Sequence, residues 1–260
     1  MKLWGVALII DAHAHIWYPP SFSLEEFLKW AAKLGIDKLC VSKLPSLRPS
    51  SFSSFSEANK DVAEAMKAHP ETVLGYCYVN PAYEEKAVRE FRKCLEEYGM
   101  LGLKLYTDCH CLDPRVSPLI ELAVEFNAPI LIHTAHIQRR YIKGDPPTVS
   151  NSEDVAELAR RHPKATIIMA HIGGGGDWEW ALKAVRGVSN LMVDTSGSGV
   201  DLGMIEMAVR EVGAERIVFG TDNFLSSGIG KIRGAELNER DRELILSKNM
   251  LRIIERRGLP

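Results

Sequence analysis

The sequence lacks any apolar run that approaches the roughly 20 residues a helix needs to cross a bilayer. Its first apolar stretch, from Leu3 to Ile10, is short and continues directly into Asp11. That stretch has no small-residue cleavage site of the kind that ends a signal peptide. The sequence therefore predicts neither a membrane partner nor a secretory signal.

Net charge is also nearly absent. The 32 lysines and arginines almost balance the 34 aspartates and glutamates, which gives a formal charge of −2. The basic residues are scattered, apart from the pairs Arg139 and Arg140, and Arg256 and Arg257. This balance gives no electrostatic case for binding nucleic acid or an anionic membrane. A small-molecule substrate is the expected partner, and assembly with further copies of the chain is left open.

Cysteine is scarce, and its count of five is odd. Because Cys40 and Cys77 lie inside apolar, strand-like runs, we expect them in the core. The tract Cys109, His110 and Cys111 resembles a soft metal site, but three adjacent residues of an extended chain cannot all converge on one ion. No disulfide framework is predicted, so the reducing cytoplasm is the expected location.

What the sequence does contain is apolar content sufficient for a core, 46% of residues, in a regular order. Eight strand-like segments alternate with eight helix-like segments, which is typical of a parallel α/β fold. The strands are predicted at 6–12, 37–43, 72–79, 101–106, 129–133, 166–171, 190–195 and 215–220. The helices are predicted at 24–34, 57–68, 84–98, 115–126, 152–162, 177–186, 201–211 and 239–256.

This pattern predicts a single domain over residues 1–260 with the (β/α)₈ barrel fold, which the chain length fits. A doubly wound open sheet is the alternative fold. The open sheet would not easily bring residues of the first, fifth, sixth and last strands to one place. A closed barrel does so, because its first strand lies beside its eighth.

Polar side chains follow the ends of several predicted strands. Alternate residues of a strand face the same side, so Asp11, His13 and His15 share one face. Imidazole and carboxylate groups together suit zinc or a similar divalent ion. Four histidines and one aspartate at the strand ends therefore predict a metal site, and they are His13, His15, His133, His171 and Asp222. Asp11 and Lys104 belong to the same strand-end series.

Each of these residues also has a purely structural interpretation. A single strand-end histidine can be a buried imidazole with an ordinary hydrogen bond, and Asp222 can cap a following helix. The pair His13 and His15 is harder to explain in this way. Two polar rings on the face of a central strand require partners, and a metal ion would provide them.

Loop lengths indicate the same end of the barrel. Helix-to-strand connections are short, whereas the strand-to-helix connections at 44–56, 134–151 and 222–238 are long. Long loops in a compact domain are usually functional, and in a (β/α)₈ barrel these loops surround the active site. Within them, Arg139 and Arg140 are predicted to bind a substrate carboxylate. A solvated basic loop is the alternative interpretation of this pair.

Five pieces of the sequence, taken in order, resemble the amidohydrolase superfamily, and within it the group that includes aminocarboxymuconate semialdehyde decarboxylase. They are Asp11 to His15, Gly102 to Tyr106, Leu131 to Thr134, Ala170 to Gly174, and Phe219 to Asp222. The resemblance implies a distorted (β/α)₈ barrel with a divalent metal, expected to be zinc. It further implies that His13, His15, His133 and Asp222 bind the metal, and that Asp222 and His171 are catalytic.

Lys104 decides how many metals are expected. In binuclear relatives a lysine on the fourth strand is carbamylated and bridges two ions. An unmodified lysine would instead meet a substrate carboxylate, and we favour this second role. A lysine paired with a carboxylate on the barrel floor is the structural alternative. We therefore expect one metal per chain, with a second left open.

The expected activity is hydrolysis of a small carbonyl, lactone or amide substrate by a metal-activated water. The same site suits a non-oxidative decarboxylase or a hydratase of an unsaturated carboxylic acid, which is the first alternative. A catalytically silent metal-binding barrel is the second. Structural metal sites are usually closed, whereas these ligands would lie beneath long loops, so an open, catalytic site is favoured.

Overall fold

The computed structural model describes residues 8–16, 23–46, 49–135, 147–172 and 177–259. Eight parallel strands form one sheet in chain order, each paired with the next, so the predicted barrel is confirmed. The strands are β1 (Ile10–His15), β2 (Lys38–Ser42), β3 (Val73–Tyr78), β4 (Gly102–Leu105), β5 (Ile130–Ile132), β6 (Ile167–Met169), β7 (Leu191–Asp194) and β8 (Ile217–Val218).

The barrel closes between its last and first strands. The Ala12 N–H donates to the Phe219 carbonyl at 2.8 Å, and the Asp222 N–H donates to the His13 carbonyl at 2.7 Å. Strand β8 itself has only two residues, so most of this seam lies beyond its regular part.

Helices follow the strands around the outside of the barrel. Two begin with reciprocal capping boxes, in which Ser23 pairs with Glu26 and Asn151 with Asp154. The helices are α1 (Leu24–Lys33), α2 (Phe52–Ala68), α3 (Glu85–Glu96), α4 (Ser117–Glu125), α5 (Ser152–Arg161), α6 (Trp178–Ala184), α7 (Met204–Val212), α8 (Leu225–Gly234), α9 (Glu239–Glu243) and α10 (Asn249–Arg257). A π-helical turn, Leu244–Lys248, joins the last two.

Three sequence-based boundaries are wrong in ways that affect the functional end of the barrel. Strand β1 continues to His15 rather than ending at residue 12. The expected loop at 44–56 is shortened because Ser51 caps α2 by accepting from the Ser54 N–H. The expected loop at 222–238 contains α8. The three glycines of this helix are typical of a loop, although the helix has an apolar face that includes Leu225 and Ile229.

The core has two layers. The larger layer lies between strands and helices, and a smaller one fills the barrel interior with residues such as Ile10, Tyr76 and Leu131. Met250 and Ile253 of α10 belong to this interior cluster together with Leu74 and Leu101, which lie near strand starts. Helix α10 therefore packs over the amino-terminal end of the barrel.

Each of the five cysteines is free and buried, and the predicted core positions of Cys40 and Cys77 are confirmed. In the tract of Cys109, His110 and Cys111, the His110 Nε2 lies 3.1 Å from an Asp154 carboxylate oxygen. Burial raises the pKa of the Cys111 thiol to about 12, so this sulfur is not a ready thiolate ligand. Among the described helices, none is both long and apolar enough to cross a membrane.

Candidate metal centre

Three of the four predicted metal ligands meet at the carboxyl end of the barrel. One ligand atom from each of His13, His15 and Asp222 lies within 4.8 Å of the others. The Asp222 Oδ1 is 3.1 Å from the His15 Nε2 and 3.6 Å from the His13 Nε2. The three side chains therefore aim two imidazole nitrogens and one carboxylate at a common point.

The local backbone explains how the ligands converge. The pairing of β1 with β2 is irregular between Asp11 and Ala14, just where His13 enters the site. Asp222 and Asn223 both adopt left-handed backbone, with φ of 49° and 66°. The Asn223 side chain accepts from the His15 N–H at 2.6 Å and donates to the His15 carbonyl at 2.7 Å. This amide holds the end of β1 against the turn that carries Asp222.

Asp11 belongs to the strand-end series, but it is not part of the cluster of His13, His15 and Asp222. Its carboxylate accepts hydrogen bonds from the Thr221 N–H and hydroxyl and from the His13 N–H. Burial raises the pKa of this carboxyl to about 7, against the effect of these bonds. Asp11 therefore braces the turn before Asp222 from inside the barrel.

His133 and His171 form a second pair beside the cluster. The His171 Nδ1 lies 3.8 Å from the Asp222 Oδ2, and its Nε2 lies 2.9 Å from the His133 Nδ1. The ring of Tyr106 packs on His133 with centroids 4.2 Å apart. His171 follows β6 with a left-handed φ of 68°, an uncommon conformation that turns up at functional sites. His133, the fourth predicted ligand, is therefore separated from the cluster of His13, His15 and Asp222 by the His171 ring.

The protonation of these groups suits a cation. Burial lowers the pKa of His15 to about 4 and that of His171 to about 3, and it holds the pKa of His133 well below its usual range. Burial would raise the pKa of Asp222, but the hydrogen bond from His15 and the neighbouring imidazoles hold it below its usual range. Neutral rings and an ionised carboxylate are the forms in which these side chains bind a metal.

Outer partners orient the rings of the two β1 histidines so that the Nε2 atom of each faces the cluster. The His13 Nδ1 lies 2.8 Å from the Asp194 Oδ2, and the His15 Nδ1 lies 3.0 Å from the Ser42 hydroxyl. An ionised carboxylate can only accept, so the His13 Nδ1 donates to Asp194. The Nε2 of the neutral His13 ring then carries no proton and faces the cluster. Carboxylate–histidine pairs of this kind orient metal-binding imidazoles.

Sequence reasoning missed Asp194, although the signal was available. Asp194 is the last residue of an apolar strand, β7, and Ser196 follows it closely. The rule that identified His133 and His171 also applies here. Asp194 is fully buried and lies at the centre of the hydrogen bonds behind the cluster.

Lys104 lies on the floor of the site. Its side chain is fully buried, and its Nζ is 2.9 Å from the His13 Nε2. The predicted substrate contacts Arg139 and Arg140 lie outside the described residues, so the structure gives no position for them. Of the three predicted substrate-binding residues, Lys104 is the one that the structure places, and it lies against a predicted metal ligand.

Gly220, which follows β8, permits a close approach between His13 of β1 and Asp194 of β7. A Cβ built on Gly220 would lie 3.1 Å from the Asp194 Cβ and Cγ and 3.2 Å from the His13 Cβ. All three residues are buried, so no flexible side-chain end is present to move aside.

We expect Gly220→Ala to cost about 1–3 kcal/mol of folding stability through overpacking and to weaken divalent-metal binding by separating His13 from Asp194. Chemical denaturation and metal titration measure the two effects. Gly230→Ala is the matched control, because its Cβ would meet nothing within 4 Å and it lies exposed on α8. Equal stability and equal metal affinity for both variants would contradict this expectation.

Comparison with known proteins agrees with this architecture. The model of the family described as Amidohydrolase matches residues 51–254. The chain is also similar in fold to a 2,6-dihydroxybenzoate decarboxylase from Rhizobium, with a TM-score of 0.73, 18% identity, and coverage of 98% of this chain and 99% of that one.

Two further solved structures are similar to this chain in fold at comparable sequence identity. A dihydroxybenzoic acid decarboxylase from a Polaromonas species, with bound manganese and 2-nitroresorcinol, has a TM-score of 0.74 at 17% identity, and the match covers 98% of this chain and 97% of that one. A 4-oxalomesaconate hydratase from Rhodopseudomonas palustris has a TM-score of 0.68 at 16% identity, with 96% of each chain covered. At these identities the likeness concerns the fold.

Proposed function

Since the chain belongs to the amidohydrolase family, and is on that ground a metal-dependent enzyme, we propose that it is a lyase. It would remove CO₂ from a small unsaturated or aromatic carboxylic acid, or hydrate such an acid. Hydrolysis, the activity first expected from the sequence, becomes the second candidate. The change is supported by the activities of the similar solved structures, two decarboxylases and a hydratase.

The metal would be held by His13, His15 and Asp222, with His133 as the fourth ligand. Two or three imidazoles and one carboxylate fit zinc, as the sequence suggested, and also fit manganese, which the Polaromonas relative contains. When bound, such an ion supplies Lewis acidity that polarises oxygen atoms of the substrate.

The observation that carries the proposal is the position of Lys104. An ammonium group buried beside the cluster, 2.9 Å from the His13 Nε2, favours a negatively charged substrate oxygen at the floor of the site. In decarboxylation the bond to the carboxyl carbon breaks, its electron pair stays on the substrate carbon, and CO₂ leaves. Lys104 would then stabilise the charge that spreads onto a conjugated oxygen.

A proton must reach the substrate carbon to complete the reaction. The Asp222 side chain is 25% exposed, whereas those of His13, His15 and His171 are at most 8% exposed. Asp222 is therefore the most exposed member of the cluster. We assign the proton transfer to Asp222, with His171 3.8 Å away as its partner. The ionised carboxylate would first accept a proton from water and then pass it to the substrate carbon, and the remaining hydroxide would combine with the released CO₂ as bicarbonate.

Hydrolysis stays the second candidate because the same accessible carboxylate could accept a proton from an attacking water. A catalytically silent barrel is disfavoured, since a structural metal site would be closed. A product assay separates these candidates. Protein purified without chelator is analysed for metal content and then loaded with Mn²⁺ or Zn²⁺.

The loaded protein is incubated with 2,6-dihydroxybenzoate, with other unsaturated carboxylic acids, and with lactones and amides. We expect metal-dependent release of CO₂, or hydration, from members of the acid set. Hydrolysis products without CO₂ release or hydration would overturn the lyase proposal. Turnover that persists after complete removal of metal would overturn the metal assignment.

Replacing Lys104 with methionine is expected to weaken an acidic substrate while retaining the metal. Loss of a buried charge partner costs about 2–5 kcal/mol, which would appear mainly in kcat/KM. The measurement is steady-state kinetics together with metal content. Metal affinity should be unchanged or tighter, because the ammonium no longer faces the His13 Nε2.

The same variant tests the number of metals. An unmodified lysine repels a second cation, so we expect one metal per chain in the parent protein. Two metals per chain, with bicarbonate required for reconstitution and both ions lost in Lys104→Met, would instead indicate a carbamylated lysine that bridges two ions.

A further inference from the structure

Behind the candidate metal centre, the end of β7 forms a small hydrogen-bonded unit from Asp194 and Ser196. The Asp194 Oδ1 accepts from the Ser196 hydroxyl at 2.5 Å, from the Ser196 N–H at 2.9 Å and from the His171 N–H at 2.9 Å. Its other oxygen, Oδ2, faces the His13 Nδ1 at 2.8 Å. One carboxylate therefore contacts both the β1 histidine and the backbone of the β6 histidine.

The contacts of this unit determine which atom donates and which accepts in each of its hydrogen bonds. An ionised carboxylate cannot donate, so the single proton of the Ser196 hydroxyl points to Asp194. The Ser196 oxygen, 3.1 Å from the His171 Nδ1, then acts as an acceptor. His171 must carry its proton on Nδ1, and a neutral His171 ring leaves Nε2 bare.

The order extends to His133. Its Nδ1 lies 2.9 Å from the bare His171 Nε2, so the His133 Nδ1 must be the donor. A neutral His133 then has no proton on Nε2. The chain of hydrogen bonds that begins at Asp194 thus ends by leaving the His133 Nε2 free as a ligand atom.

A buried lysine holds this unit in place. The Lys231 Nζ, on α8, donates to the carbonyls of Thr195, Ser196 and Gly197 at 3.0, 3.3 and 2.7 Å. Lys231 is 7% exposed, so its ammonium is withdrawn from water and bound to these neutral oxygens. The expected loop at 222–238 therefore contains, in α8, the anchor of the turn that carries Ser196.

We propose that Ser196, anchored by Lys231, is a positioning residue that sets the tautomer of His171 and, through it, that of His133. The role deepens the metal centre proposed above and rests on it. Ser196 is not one of the candidate metal ligands, and its hydroxyl oxygen also lies 3.2 Å from the His13 Nδ1, the nitrogen that faces away from the cluster. Its effect on the ion therefore passes through the imidazoles that it contacts.

The test replaces Ser196 with alanine and, separately, with threonine, which retains the hydroxyl. Ring-nitrogen NMR on metal-free, ¹⁵N-histidine-labelled protein reports the tautomers directly. Mn²⁺ titration, followed by the electron paramagnetic resonance signal of the free ion, reports affinity. Ser247→Ala is the matched control, since Ser247 is 5% exposed and donates to the Glu243 carbonyl, away from the site.

In the parent protein and in Ser247→Ala we expect His171 and His133 to be protonated at Nδ1. In Ser196→Ala both rings should become tautomer mixtures, and Mn²⁺ affinity should fall roughly 10–100-fold, as is usual when an outer partner of a metal ligand is lost. Ser196→Thr should restore both readouts. Lys231→Met should reproduce the tautomer change with the Ser196 hydroxyl still present.

The outcomes separate this inference from the function on which it rests. Unchanged tautomers and unchanged Mn²⁺ affinity in Ser196→Ala would overturn the positioning role. If the parent protein shows the expected tautomers but binds neither Mn²⁺ nor Zn²⁺, the ordered chain stands and the proposed metal centre falls. Protonation of His133 at Nε2 in the parent protein would contradict the inference directly.

Discussion

The double variant His13→Ala, His15→Ala is expected to lose divalent-metal binding and turnover while the barrel still folds. These residues provide two of the three ligand atoms that lie within 4.8 Å of one another. The loss should exceed the roughly 10–100-fold that follows removal of an outer partner, because the ligands themselves are removed. Metal analysis after dialysis, and kinetics with excess Mn²⁺ or Zn²⁺, measure it.

Folding should survive at a moderate cost. Removal of the two rings leaves Asp194 and Ser42 without their histidine partners, at about 1–3 kcal/mol for each buried group left unsatisfied. The matched control is His69→Ala, His162→Ala. It removes two imidazoles at the carboxyl ends of α2 and α5, which lie at the end of the barrel where the strands begin. Full metal occupancy in the His13, His15 variant would refute the proposed centre.

Asp222→Asn is expected to retain a folded, metal-binding barrel whose turnover is about 10²–10⁴-fold slower, the usual contribution of general acid–base catalysis. Asparagine has nearly the same shape and tolerates the left-handed backbone, here φ of 49°, as readily as aspartate does. The amide oxygen can still coordinate weakly, but the amide can neither accept nor deliver a proton at neutral pH.

The measurement is kcat at saturating metal and substrate, with metal content determined on the same sample. Asp201→Asn is the control, since it changes an exposed carboxylate on a nearby loop whose contact is the Trp178 indole N–H at 2.6 Å. Near-parental kcat in Asp222→Asn would transfer the proton-transfer role to His171. A loss explained entirely by missing metal would leave Asp222 as a ligand only.

Much of the architecture could be read from the sequence, since it depends on local periodicity. Apolar strands alternate with amphipathic helices, and parallel strands place their carboxyl ends at one end of a barrel. Errors arose where local signals conflict. The glycines of α8 resemble a loop, and β1 continues through polar residues because His13 and His15 are buried by neighbouring strands.

The candidate ligands were also recognisable, because each is polar and ends an apolar run. Their outer partners were less so. Asp194 is 181 positions from His13, and Asn223 is 208 positions from His15. No periodicity relates such residues, and their pairing exists only once the barrel has closed.

The sequence by itself therefore determined the barrel, the end of it that carries the site, and the strand-end histidines and aspartate available there. The tertiary structure decided which nitrogen each histidine presents. That choice depends on hydrogen bonds from Asp194, Ser196 and Ser42, which reach the rings from other strands. A residue's type fixes what it can donate or accept, whereas the direction in which it does so depends on neighbours that only closure of the barrel brings together.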